Sequence, residues 1–160
     1  MRIADCGLRI ADCGLRNAEC GLKLENAAET PAPGTAPRKI EHMNQNEMKQ
    51  RTKAFALRII KAVETLPRAR TGGVLGKQLL RCGTSVGANY RAACRARSSA
   101  DFIAKMGIVE EEADETIYWM ELLVEAGLVK AAKLKLLMQE ADELVAIAVA
   151  SINTTRGHTR

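Results

Sequence analysis

Leu75, Leu79, Cys82, Val86, Asn89, Ala93 and Ala96 stand at alternating spacings of four and three. That alternation holds them on one stripe of an α-helix, the seam that an antiparallel neighbour covers. A second stretch repeats the pattern: Phe102, Met106, Val109, Ala113, Thr116, Met120 and Leu123, with Ile103, Ile117 and Val124 beside it. A strand would show its apolar residues at every second position instead. Two long helical stripes in succession commit the chain to helix-on-helix packing. Aromatic residues are only 3% of the sequence, so Ala, Leu, Val, Ile and Met must fill the interior. Such side chains suit close helix packing better than sheets, which favour aromatic and β-branched residues. The expected architecture is all-α: an antiparallel up-down four-helix bundle with a disordered N-terminal extension.

The extension is residues 1–46. Arg2-Ile-Ala-Asp-Cys-Gly-Leu8 recurs at Arg9–Leu15 and, degraded, at Arg16–Leu22. A seven-residue period suits a coiled coil. Each unit carries a glycine, however, which costs roughly 1 kcal/mol in a helix, so we read a low-complexity tail. Thr30–Pro37, with three prolines and a glycine, is a linker. The periodic pattern begins only past Met43, which makes Met43 and Met48 alternative translation starts to Met1.

The bundle is expected over 47–155 with a tail at 156–160, and Asn153–Arg160, polar and basic at its end, is expected to fray. Helix one runs from Glu47 to Leu66 with Phe55, Ile59, Ala62, Val63 and Leu66 inward, and Pro67 stops it. Thr71-Gly72-Gly73 reads as a turn that caps helix two, expected from Val74 to Arg97. Gly83 and Gly87, four apart on one face, would let a neighbouring backbone approach closely. Ser98-Ser99 caps helix three, Ala100 to Ala126, and Gly127 suits the position past its end. Helix four spans Lys130 to Ile152, with Leu134, Leu137, Ala141, Leu144, Ala148 and Ile152 on one face. From Leu144 to Ala150 every residue is apolar, more than one face needs, which points to a subunit contact.

Charge is unevenly placed. The chain carries +5, but residues 47–97 hold twelve basic and two acidic groups, and residues 98–129 hold eight acids against Lys105. No run of 18 apolar residues spans a membrane, and the N-terminus lacks the apolar core of a secretory signal. A cytoplasmic location is expected. Cys6, Cys13 and Cys20 are seven apart without paired Cys-x-x-Cys spacing, and Cys82 and Cys94 stand alone. Free thiols and no metal follow. Neither His42 nor His158 lies in a Glu-x-x-His motif, no nucleophile has a nearby base, and no phosphate loop occurs. Catalytic residues and cofactors are therefore not expected.

Polar residues interrupt the seams. Asn89 lies on the apolar stripe of helix two, with Ser85 and Arg81 four and eight residues before it. Helix three supplies Glu112 and Glu115, with Trp119 four beyond. A guanidinium opposite a carboxylate forms a strong pair, so Arg81 is expected to meet Glu112 or Glu115, while Asn89 bonds across helices. Such a network sets register and partner choice.

Four runs together carry a resemblance: Phe55-Ala-Leu-Arg-Ile-Ile60, Leu79-Leu-Arg-Cys-Gly-Thr-Ser-Val-Gly-Ala-Asn89, Asp101-Phe-Ile-Ala-Lys105, and Glu112-Ala-Asp-Glu-Thr-Ile-Tyr-Trp-Met-Glu-Leu-Leu123. The chain resembles the four helix bundle protein family, including proteins encoded within intervening sequences of bacterial 23S ribosomal RNA genes. It is also similar to the accessory variability determinant of diversity-generating retroelements. Many relatives carry an acidic-glycine pair after the asparagine; here Tyr90-Arg-Ala-Ala-Cys-Arg95 replaces it. The resemblance implies a homopentameric ring or barrel, a basic surface suited to nucleic acid, a reverse-transcriptase partner in the retroelement branch, and no catalytic activity.

The basic positions available for RNA or DNA are Arg51, Arg58 and Lys61 on helix one and Arg91, Arg95 and Arg97 at the end of helix two. They would neutralise phosphates without reading sequence. With few aromatics for stacking, backbone contact is favoured over single-strand reading. The alternative is a protein-interaction scaffold whose basic face docks a partner such as a reverse transcriptase.

Overall fold

The computed structural model describes residues 44–67 and 69–158. The heptapeptide repeat, the proline-rich linker and their cysteines lie outside the described residues. Four helices follow in order: α1 (Gln45–Glu64), α2 (Arg70–Ala93), α3 (Ser99–Glu125) and α4 (Ala131–His158). Each packs against the next in an up-down bundle, and α1 and α4 close it with the smallest of these contacts.

Helix α1 starts where a capping box sets it. Asn44 Oδ1 accepts from Glu47 N at 2.9 Å, and Glu47 Oε2 accepts from Asn44 N at 2.6 Å. Met48, Thr52, Phe55 and Ile59 then repeat on the buried face. Helix α2 begins four residues before the expected Val74, so Thr71, Gly72 and Gly73 lie in its first turn and are not the turn before it. The chain re-enters the helix tightly behind Pro67. A Cβ at Gly72 would sit 2.6 Å from the Pro67 carbonyl oxygen, so only glycine fits. The cap is Ala69 backbone, without a side-chain bond.

Helix α2 also ends early. Beyond Ala93 the chain tightens: Arg95 N bonds Ala92 O, and Ala96 N bonds Ala93 O, both at 3.0 Å. Arg95 and Arg97 therefore sit in the α2–α3 turn, and only Arg91 is helical. Ser98 caps α3, accepting from Asp101 N at 3.1 Å. The α3 end is a Schellman arrangement, with Leu128 N on Leu123 O, Gly127 N on Val124 O, and Gly127 at φ 69.

All seven seam residues of α3 and all six of α4 are buried. Helix α4 runs to His158, into the Asn153–Arg160 segment expected to fray; Thr155 is fully buried there and extends the stripe beyond Ile152. Its apolar excess is partly absorbed within the chain. Leu144, Ile147 and Ala148 are buried, and Val145 packs against the core.

Helix α2 is covered on two faces. One is the seam with Leu79, Cys82, Val86 and Ala93. The other faces α1 through glycines: a Cβ at Gly83 would lie 2.8 Å from Ile59, one at Gly76 would lie 2.9 Å from Leu66, and one at Gly87 would lie 3.4 Å from the Thr52 carbonyl. Gly83 and Gly87 thus let α1 come close, as their spacing suggested. Tyr90, 1% exposed, continues on this side as one of the largest buried side chains, a position the seam pattern had not included.

Candidate functional site

Two polar constellations interrupt the apolar bundle. The first joins α2 to α3. Arg81 Nη2 donates to Glu115 Oε2 at 2.6 Å, and Nη1 reaches Glu112 Oε1 at 3.5 Å. The guanidinium thus spans both acids one turn apart. Arg81 is 52% and Glu115 49% exposed, but Glu112 only 15%. Burial pushes the Glu112 carboxyl above its ordinary value; Arg81 opposes this, while Glu115 and Glu111 add to it. Glu112 Oε2 is buried without a hydrogen bond among the described residues, although the Ser85 hydroxyl is near enough to favour the charged form.

The remaining members expected in this network stand apart from it. Asn89 is half-buried and donates to Ser85 O of its own helix at 3.0 Å, not across helices. A backbone carbonyl one turn back is the nearer way to satisfy an amide on a helix flank. Trp119 Nε1 is buried without a hydrogen-bond partner among the described residues, and its ring meets Tyr118 edge-on at 5.0 Å.

Cys82 belongs to the same place, which the sequence pattern had assigned only to core. Its Sγ and the carboxylate oxygens of Glu112 and Glu115 lie within 4.8 Å of one another. The group is better suited to a guanidinium than to a metal. Arg81 already bridges both carboxylates, and burial pushes the Cys82 thiol up to about 11, so it keeps its proton near neutrality.

The second constellation is at the α2–α3 turn. Ala92, Arg95, Arg97, Asp101 and Lys105 line an open concavity of about 450 Å³. Asp101 is anchored from two sides, accepting from Arg97 N at 3.0 Å and pairing with Lys105 Nζ. Those partners, Lys105 first, hold its carboxyl below the usual range. Among the described residues, Arg91, Arg95 and Arg97 make no ion pair within 4.0 Å. Asp101 and Lys105 were absent from the basic set read from the sequence. Their spacing of four on one helix, directly after Arg97, was the available signal.

The other half of the predicted basic set is placed differently. Arg51 pairs with Glu140 at 3.6 Å and with Glu143, and Arg58 pairs with Glu140. Both arginines clasp α1 to α4, with much of their charge met inside the chain. Lys61 is exposed near the far end of α1. The structure does not gather these three with Arg91, Arg95 and Arg97.

Comparison with known proteins places this bundle. The family model described as 23S rRNA-intervening sequence protein matches residues 44–150. The chain belongs to the 23S rRNA-intervening sequence protein family. A solved relative agrees: a protein of unknown function from the S23 ribosomal protein family of Bacteroides thetaiotaomicron is 36% identical, with a TM-score of 0.61. The match covers 65% of this chain and 96% of that one. No curated protein matches. The family match begins at Asn44, the cap of α1. The matched residues take in α1, α2, α3 and α4 as far as Ala150, and the repeat lies before them. No described helix is long and apolar enough to cross a membrane.

Proposed function

We propose that this protein is a non-enzymatic cytoplasmic bundle that binds the backbone of RNA or DNA without reading sequence, using Arg91, Arg95 and Arg97. The supporting observation is the α2–α3 turn, where Arg95 and Arg97 line an open concavity with Asp101 and Lys105 and, among the described residues, make no side-chain ion pair within 4.0 Å. Guanidinium groups held at a concave surface without an ion pair are available to phosphate. Arg51 and Arg58, bound to Glu140 and Glu143, are secondary in this reading. Copies assemble, as the resemblance to pentameric relatives implies, and repeat the cationic turn around a symmetry axis.

The test is binding of the full chain to mixed RNA and duplex DNA across a salt series. Affinity falls steeply with salt, and changing Arg91, Arg95 and Arg97 to glutamate abolishes it. No binding at low salt overturns the reading. Assembly is tested separately by light scattering, and a monomeric mass overturns it.

A second reading is a scaffold that docks a protein partner such as a reverse transcriptase. Leu136, 74% exposed, and Tyr118, 51% exposed, are the large apolar groups that such a partner would cover. Co-purification of a polymerase that survives nuclease treatment supports this reading over the first.

A further inference from the structure

We propose that the α2–α3 turn prefers RNA to DNA, with Arg95 and Arg97 taking a backbone phosphate and Asp101 accepting from a ribose 2′-hydroxyl. The proposal rests on the nucleic-acid reading above and deepens it. A site built only for phosphate would carry donors alone. This one sets a carboxylate among three cations, in a concavity whose volume of about 450 Å³ is in the range of ligand sites.

Asp101 is fixed and ionised. Arg97 N holds Oδ2 at 3.0 Å, and Lys105 holds Oδ1. An ionised carboxylate accepts at about four lone-pair positions, and these two partners occupy one on each oxygen. The free positions repel phosphate but receive a hydroxyl. On a nucleic-acid backbone, the sugar hydroxyl beside the phosphate is the 2′-OH, which deoxyribose lacks and which A-form RNA displays across a wide, shallow groove. Arg95 and Arg97, on the same concavity, are placed for the neighbouring phosphate. Asp101 also braces the start of α3 through Arg97 N, but Ser98 supplies the cap bond to Asp101 N independently. The carboxylate's remaining capacity is therefore surplus to capping.

The experiment measures fluorescence anisotropy of the full chain on three duplexes of one sequence: RNA, DNA and 2′-O-methyl RNA. All are read at one low salt concentration. RNA binds about tenfold tighter than either of the others, the size of one hydrogen bond to a charged acceptor. Asp101→Ala, checked for an unchanged helical signal and melting point, brings RNA down to the level of DNA. Equal wild-type affinity for RNA and DNA overturns this proposal and leaves the nucleic-acid reading standing. Absence of binding to all three overturns both. An RNA preference that persists in Asp101→Ala overturns the role of Asp101. The 2′-O-methyl arm needs no variant, and tight binding there also overturns the proposal.

Discussion

Gly83 packs its bare Cα against Ile59, so closely that a Cβ there would lie 2.8 Å from both Ile59 Cγ1 and Cγ2. Alanine at this position pushes α1 and α2 apart. We expect Gly83→Ala to lose about 1–3 kcal/mol from overpacking, less about 1 kcal/mol regained in helix propensity. The urea midpoint reads the difference. Adding Ile59→Ala relieves the clash, so the double variant should lose less than the sum of the singles. An unchanged midpoint for Gly83→Ala would mean the helices have room.

Gly107 is the counterpart. It lies inside α3 with nothing within 4 Å of an added Cβ. Gly107→Ala should therefore stabilise by roughly 0.5–1 kcal/mol. A loss of stability would show that a second surface covers that face, and the dependence of the loss on protein concentration would show whether it is another copy.

Glu112 makes stability depend on pH. Its carboxyl titrates above the ordinary value because burial disfavours the charge. A raised carboxylate value means the fold prefers the protonated form. That contribution is fully present below the unfolded-state value and is lost as pH rises through the folded value. Glu112→Gln should flatten this part of the curve, melting higher than the parent near neutrality and equally in acid. A Gln variant that melts lower near neutrality would make the Arg81 pair outweigh desolvation.

The Arg81 pair itself should be modest. With Arg81 and Glu115 about half exposed, Arg81→Ala is expected to cost no more than about 1 kcal/mol. A loss of several kcal/mol in a denaturant titration would mean that Glu112 is left as an uncompensated buried charge.

Cys82 is fully buried and its thiol is pushed up to about 11. Iodoacetamide should leave Cys82 unmodified in the native chain at neutral pH and label it after denaturation, read by peptide mass. Native labelling at a rate near that of a free peptide would show that the α2–α3 seam opens readily.

The fold was legible because its helices repeat their apolar residues over many turns; every seam residue of α3 and α4 is buried. Boundaries were less legible where backbone geometry sets them. The proximity of Pro67 to Gly72 moved the start of α2, and the short bonds after Ala93 moved its end. Tyr90 was missed because glycines define its face, and glycine adds no apolar signal to a periodicity. The site was legible in residue type and not in pairing. Arg51, Arg58, Arg95 and Arg97 look alike in sequence. Glu140 and Glu143, some ninety residues away from Arg51, separate them into two classes.

The four helices do not all adhere by the same force. Three neighbouring pairs meet over extended contacts, while α1 meets α4 least and across Arg51, Arg58, Glu140 and Glu143. Screening weakens an ionic clasp, whereas excluded salts such as sulfate strengthen apolar contacts. Sodium sulfate should therefore act oppositely on the parts of one small protein, loosening the line where the first helix meets the last while tightening the rest. In amide exchange, the outward turns of α1 around Arg51 and Arg58 would be the first to lose protection. The chain would open like a clasp bracelet, at its fastening.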